Sequence, residues 1–325
     1  MLNGKKEIAD VLNSYGRKKT PVLFIIDFDM NESVVLPIHG ISSSDIMYDI
    51  NGFTNTTRLK NYTGEISIKK SPISFKKYEN AFNHVINEFR KGNSFLLNLT
   101  FPTEININLE LKEIYSYSRA KYKLFFNDQF TVFSPETFVR ISGDTIRSFP
   151  MKGTINASVP DAEKTIINDE KEFAEHITIV DLIRNDLGMV SDRVDVERFR
   201  YIDRLITSEG ELLQVSSAVS GKLAYGWQSK LGDIITSLLP AGSVTGAPKK
   251  KTVEIIKSVE NYDRGFYTGI FGYFDGENLD SGVMIRFIER KDGGKFFKSG
   301  GGLTIYSDVN KEYNELLEKI YVPVY

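Results

Sequence analysis

The chain has 325 residues, an apolar share of 41% and a near balance of 41 Lys and Arg against 43 Asp and Glu. That length holds one large or two medium domains with a sizeable core, and the balance gives no electrostatic reason to expect nucleic acid or an anionic membrane surface as partner. Cysteine is absent, which excludes disulfides, Cys-ligated metal and every thiol nucleophile, and the histidines His39, His84 and His176 lack the spacing of a zinc site.

The opening stretch MLNGKKEIADVLNSYG has no apolar h-region, and no run reaches the length of a membrane span. A cytoplasmic protein is the expectation. Residues 6–15 read as a helix ended by Asn13-Ser14-Tyr15-Gly16. Val22 to Phe28 and Val34 to Ile38 read as strands joined by a polar turn. Gly40 to Gly64 is rich in Ser, Asn and Thr and reads as loop with room for one strand. Apolar positions at Tyr78, Phe82, Val85, Ile86 and Phe89 predict a helix over Phe75 to Arg90, and Ser94 to Phe101 follows as a strand. Further strands are expected near Leu124–Phe126, Phe130–Phe133, Phe138–Ser142 and Thr145–Phe149.

The stretch from Ser134 to Thr154, SPETFVRISGDTIRSFPMKGT, reads as a hairpin turning at Gly143-Asp144. It brings Glu136 at one end toward Lys152 at the other. Two readings stay open: an ordinary surface ion pair, or a site whose lysine becomes a nucleophile if burial lowers its pKa. Asn156 to Asp169 is polar and reads as a mobile loop.

A helix is predicted from Phe173 to Leu187, with Phe173, Ile177, Val180, Ile183 and Leu187 as its buried stripe and Gly188 ending it. Its polar set of Glu175, Asp181, Arg184, Asn185 and Asp186 is either a solvated face or functional. Strands at Val194–Ile202 and Gln214–Leu223 and a helix at Leu231–Leu239 come next. Pro248 suits the first position of a helix, and the preceding PAGSVTG fails the phosphate-loop pattern because Ala247 and Pro248 separate Gly246 from Lys249. Tyr267–Phe274, Val283–Ile288 and Lys295–Ser299 read as strands.

Gly300-Gly301-Gly302 follows the last of these, either as a bulge or as exposed backbone amides for an anion. Ser307-Asp308 caps a final helix. Glu312, Glu315 and Lys319 share one face of it, which suits a hard cation such as Mg2+ or a plain surface Glu–Lys pair. No repeat or low-complexity tract is visible. Strands dominate without regular alternation with helices, so the expected class is α+β, with large, mostly antiparallel sheets and flanking helices.

Taken together, these stretches resemble the chorismate-utilising enzymes, which include anthranilate synthase, aminodeoxychorismate synthase, isochorismate synthase and salicylate synthase. The pieces carrying the resemblance are NLT (98–100), SPE (134–136), MKGT (151–154), EHITIVDLIRNDLG (175–188), PAGSVTGAPK (240–249), YTGIFGY (267–273), IRF (285–287), SGGG (299–302) and EYNELLEK (312–319). The resemblance implies a single chorismate-binding catalytic domain over 1–325 with a shortened N-terminal region of about 1–90, too short for the tryptophan-inhibition region of typical anthranilate synthases.

It also implies chorismate as substrate and Mg2+ as cofactor. Glu175, Glu312 and Glu315 would hold the metal. Arg286 and Tyr267 would hold the enolpyruvyl carboxylate, and Gly301, Gly302 and Lys319 would serve the carboxylates. Lys152 would be the nucleophile, Glu136 the general acid, and Thr154 would orient a substrate group. Lys152 stands where anthranilate synthases have Ala. Leu96 stands where water-using members place a lysine base, and an apolar side chain cannot activate water.

The implied branch is therefore aminodeoxychorismate synthase component I, which makes 4-amino-4-deoxychorismate for p-aminobenzoate and folate. Anthranilate synthase, another chorismate enzyme, or a non-catalytic chorismate-binding subunit are the alternatives. Releasing ammonia from glutamine through a thiol needs a cysteine that this chain lacks. A separate glutamine amidotransferase subunit, joined as a heterodimer, is the expected nitrogen source. Two departures from the family pattern are Leu213, where many relatives have His, and Phe287, where many have Thr.

Overall fold

The computed structural model describes residues 1–57, 62, 64–207 and 210–323. Residues 58–61 and 63, within the stretch read as loop, lie outside the described residues.

Two large sheets carry the fold, and every recorded strand pair in them is antiparallel. The first runs, edge to edge, through Met151–Asn156, Gly210–Lys222, Thr145–Ser148, Thr137–Ser142, Leu279–Val283, Ile270–Phe274, Val22–Ile26 and Val34–Pro37. Val194–Thr207 also pairs with Gly210–Lys222. The second runs through Gly246–Ala247, Leu96–Ile107, Gly294–Leu303, Phe287–Lys291, Phe130–Ser134, Tyr122–Phe126, Ile46–Ile50 and Phe53–Thr54, with Ile68–Ser71 on Leu96–Ile107.

The strand Val22–Ile26 shows why the sheets stack. Its sequence VLFII is apolar at every position and wholly buried. Leu23 and Ile25 pack with Tyr48, Tyr122 and Phe287 between the sheets. Val22, Phe24 and Ile26 point the other way, into a core shared with the helices Lys5–Arg17, Glu170–Gly188 and Leu231–Ser237. A strand covered on both faces loses the polar alternation of a half-exposed one. The second sheet is covered on its far side by Phe75–Arg90, Lys249–Val259 and Val309–Glu318, which meet its strands through Phe82, Leu99, Ile256 and Leu316. The α+β class with large antiparallel sheets and flanking helices is what forms.

Several local expectations change. The first helix continues to Arg17, because Gly16 backs onto the Gln228 carbonyl and serves a close contact rather than a stop. The polar stretch after Asn156 contains a helix, Ala162–Asn168, anchored by Ala162 and Ile166. The single strand read at Val283–Ile288 is two, Leu279–Val283 in the first sheet and Phe287–Lys291 in the second. Between them Arg286 sits at φ 51°, a left-handed conformation uncommon for a side chain of its size. Pro248 is the N-cap of Lys249–Val259 rather than its first residue.

On the helix Glu170–Gly188, Val180, Ile183 and Leu187 of the expected stripe are buried, but Phe173 and Ile177 are exposed, whereas Glu175, His176 and Asp186 are buried. Gly300, Gly301 and Gly302 are strand residues paired with Thr100, Leu99 and Asn98, so they form neither a loop nor a bulge. No helix among the described residues is long and apolar enough to cross a membrane.

Candidate active site

A cleft of about 450 Å3 opens between the edge of the first sheet and the last helix. Lys152 and Thr154 reach it from the edge strand Met151–Asn156, where a register shift occurs at Gly153, whose φ is 80°. Glu175 enters from the helix Glu170–Gly188, which Asp169 caps by accepting the Glu172 N–H. Glu312, Glu315 and Lys319 come from the C-terminal helix, capped by Asp308 on the N–H groups of Asn310 and Lys311. Arg286 enters from the crossing between the two sheets, with its guanidinium 5.1 Å from the ring centre of Tyr321.

The hairpin turning at Gly143-Asp144 forms, but it ends at Ser148, and Lys152 belongs to the next strand, paired with Gly210–Lys222. The lysine therefore does not oppose Glu136 across a hairpin. Its ammonium instead donates to Glu175 Oε2 at 2.9 Å. Burial alone pushes the Lys152 pKa down, yet Glu175, by charge and hydrogen bond, together with Glu315 and Glu172, outweighs burial and holds it above the ordinary lysine value. The sequence condition of a lowered pKa is not met in this state. Lys319 behaves in the opposite way: burial dominates and depresses its pKa, despite its contact of 2.5 Å with Glu315. It also donates to the Gly300 carbonyl at 2.8 Å.

The glycines form the floor. A Cβ on Gly301 would stand 3.3 Å from Glu312 Oε2 and 3.5 Å from Glu315 Oε1, and one on Gly302 would stand 3.3 Å from Lys152 Nζ. Absence of side chains there lets three charged groups reach the strand. Leu96 Cδ1 approaches the same Gly302 position at 3.5 Å, so the wall beside Lys152 is apolar.

Among the described residues no group of three or more His, Cys, Asp or Glu side chains forms a ready-made metal cage. The donor chemistry nevertheless fits Mg2+. Glu175, Glu312 and Glu315 line one cleft and offer only hard oxygen, and Mg2+ ordinarily takes one or two carboxylates and completes its shell with water and substrate oxygens.

Glu136 and Tyr267 lie off the cleft wall. Glu136 accepts a hydrogen bond from the Ser243 hydroxyl and borders a smaller cavity with Ser148, Asp186 and Gly242. Burial raises its pKa, opposed by the Ser243 bond and by the charges of Lys152 and Lys319. Tyr267 is buried in the core between the sheets, and burial holds its hydroxyl neutral. Arg286 and Glu136 both lie within electrostatic reach of it.

Sequence reasoning missed several parts. Glu172, Glu318 and Tyr321 also line the cleft. His176, buried beside Glu175, shares a 2.7 Å hydrogen bond with Ser217, and burial first, then Arg200 and Lys152, push its pKa down to about 4. The NLT stretch has a structural partner: buried Glu260 accepts from the Thr100 N–H and hydroxyl, and Arg264, paired to Glu260, donates to the carbonyls of Asn98 and Val244. Leu213 is buried opposite Ile155, and Gln214 is the cross-strand partner of Thr154. Residues directly opposite on antiparallel strands share a face. Gln214, rather than Leu213, thus shares the face of Thr154. Phe287 packs in the core between the sheets.

Comparisons with known proteins identify the family and the fold. The model of the chorismate binding enzyme family matches residues 42–324. An uncharacterized PabA-like protein of Haemophilus influenzae is 50% identical over 312 residues, covering 96% of this chain and 95% of that protein. Aminodeoxychorismate synthase component 1 of Bacillus subtilis is 32% identical over 262 residues, which cover 75% of this chain and 54% of that protein. In fold, the menaquinone-specific isochorismate synthase of Escherichia coli superposes with a TM-score of 0.73 at 16% identity, covering 97% of this chain and 80% of that one.

Proposed function

Because the chain belongs to the family of chorismate binding enzymes, we propose that it acts as the synthase component of an aminodeoxychorismate synthase, converting chorismate and ammonia to 4-amino-4-deoxychorismate. The observation that carries this reading is Lys152: a lysine lines the cleft beside the glycine floor, and its apolar neighbour Leu96 offers no base for water. The likeness to aminodeoxychorismate synthase component 1 of Bacillus subtilis supports it.

Arg286 and Lys319 supply positive charge for the two carboxylates of chorismate. Thr154 offers a hydroxyl to orient the ring. Glu175, Glu312 and Glu315 would hold Mg2+, which when bound supplies charge to neutralise the ring carboxylate. The Lys152 ammonium must first pass a proton to water, and its lone pair then bonds to C2 of the ring. As that bond forms, the ring double bonds shift and the C4–O bond breaks. The Glu136 carboxyl gives its proton to the leaving hydroxyl, which departs as water. Ammonia then bonds to C4, the double bonds shift back and the C2–Nζ bond breaks, returning Lys152 as the free amine, while the new C4 ammonium gives up one proton and Glu136 is reprotonated. The ammonia comes from a separate glutamine amidotransferase subunit, since the chain has no cysteine to release it.

Incubating the pure chain with chorismate, Mg2+ and ammonium, and identifying the product by mass, tests the reading. 4-Amino-4-deoxychorismate is expected with ammonium and none with glutamine alone. Anthranilate or isochorismate as the product, or glutamine-dependent turnover by the pure chain, would overturn it.

A further inference from the structure

We infer that Ser243 is a positioning residue for the Glu136 carboxyl group: its hydroxyl occupies Oε1, which leaves Oε2 to carry and deliver the proton, and the Lys249–Asp186 pair holds the turn from which it does so. The inference rests on the reading of Glu136 as general acid.

The geometry begins with the hydrogen bond from Ser243 Oγ to Glu136 Oε1. On that side Glu136 borders a cavity, so packing alone does not fix its carboxyl group. Ser243 sits in a single turn, Gly242–Val244, gripped at both ends. At one end, the buried Asp186 carboxylate accepts the Gly242 N–H and pairs with Lys249 Nζ at 2.8 Å, while Lys249 also donates to the Leu238 carbonyl at 2.9 Å. At the other, the Val244 carbonyl accepts from Asn98 Nδ2 at 3.1 Å and Arg264 Nη1 at 2.8 Å. Asp186, Lys249, Asn98 and Arg264, four side chains from four segments of the sequence, thus hold one hydroxyl against one carboxyl oxygen.

The chemistry explains what that arrangement does. A serine hydroxyl can donate to Oε1 whether or not the carboxyl is protonated, so the proton resides on Oε2. When the Oε2–H bond breaks and the proton leaves with the C4 oxygen, Glu136 becomes an anion. The Ser243 bond then becomes charge-assisted and stronger. A donor whose bond strengthens as charge develops lowers the barrier rather than improving substrate binding.

Ser243→Ala, Ser243→Thr, Glu136→Gln and the double variant Ser243→Ala/Glu136→Gln test this, with chorismate consumption in ammonium as the readout and circular dichroism melts to confirm folding. Ser243→Ala is expected to lower kcat on the order of a hundredfold, as for removal of one preorganised donor, with KM little changed. Ser243→Thr keeps the hydroxyl and should retain most of the rate. In the Glu136→Gln background, loss of Ser243 should have little further effect. Asp186→Asn, which leaves Ser243 in place but weakens the Asp186–Lys249 hold on its turn and removes a charge across the shared cavity, should lower kcat less than Ser243→Ala does.

Unchanged kcat in Ser243→Ala beside an impaired Glu136→Gln would overturn the positioning role alone, as would equal losses in the Ala and Thr variants. Normal turnover by Glu136→Gln would overturn the underlying reading of Glu136 as the acid.

Discussion

Lys152 Nζ lies 2.9 Å from Glu175 Oε2, so the side chain proposed as nucleophile is stored as one half of a partly buried ion pair. Only 9% of the Glu175 side chain is exposed, and Glu172, Glu312, Glu315 and Glu318 crowd the same cleft. Lys152 therefore offsets a concentration of negative charge, and as an ammonium it must lose a proton before it can react. Removing it leaves Glu175 without this partner.

We expect Lys152→Ala to lose product formation while keeping chorismate binding, because Arg286 and Lys319 remain and the missing bond forms only after binding. The variant should also be less stable by about 1–3 kcal/mol, less than for a fully buried pair because Lys152 is partly solvated. A thermal melt with and without Mg2+ checks the second part, with the cation expected to recover some of the loss. A variant as stable and as active as the parent would contradict both parts.

The pH profile offers a test of Glu136. Burial holds its carboxyl above the ordinary glutamate range, and the Ser243 hydrogen bond and the charges of Lys152 and Lys319 oppose that rise. As an acid it is active when protonated, so kcat should fall as pH rises through its pKa. The Ser243 bond favours the carboxylate, so Ser243→Ala should raise this pKa and move the alkaline limb to higher pH. Asp186, across the shared cavity, and Tyr267 are the other titratable groups facing Glu136, and both are the same in the two proteins. An alkaline limb that stays put, or moves to lower pH, would remove Glu136 from the acid role.

Much of the scaffold can be read directly from residue pattern. Tyr78, Phe82, Val85, Ile86 and Phe89 repeat at helical spacing, and the helix spans Phe75–Arg90 as read. The apolar stripe of the helix Glu170–Gly188 held for Val180, Ile183 and Leu187 but not for its first two turns, because a stripe is a guide only where a helix buries apolar residues alone. Here it turns Glu175, His176 and Asp186 inward and leaves Phe173 and Ile177 outside. The glycine triplet misled differently: its meaning depends on Glu312, Glu315 and Lys152, which only the fold brings against it. Ser243 and Glu136 stand 107 positions apart, and no local spacing announces a pair of that kind.

Metal dependence should show in affinity before it shows in rate. We expect EDTA to abolish turnover and added Mg2+ to restore it. Glu175→Gln and Glu315→Gln should each raise the Mg2+ concentration needed for half-maximal activity by at least about tenfold, since supporting residues alone contribute that much to metal affinity. A Mg2+ titration of each variant reads this directly. Full activity in excess EDTA would exclude the metal role for these glutamates.

The glycine floor gives the sharpest positional test. A Cβ at Gly302 would meet Lys152 Nζ at 3.3 Å and Leu96 Cδ1 at 3.5 Å, with no backbone atom nearer. The lysine end is flexible and can retreat by a few tenths of an ångström, so Gly302→Ala should fold. Its cost should fall on reaction geometry. Displacement of a reacting group by about 1 Å can cost a hundredfold in rate, so the smaller shift should lower kcat by about tenfold. Gly246→Ala is the contrasting control: its Cβ would stand 1.8 Å from the Leu96 carbonyl oxygen at a φ of 127°, and relief there requires movement of the backbone. Its loss should therefore appear in the melting temperature. If Gly302→Ala loses stability as Gly246→Ala does while its folded fraction keeps full kcat, the glycine serves packing and not the placement of Lys152.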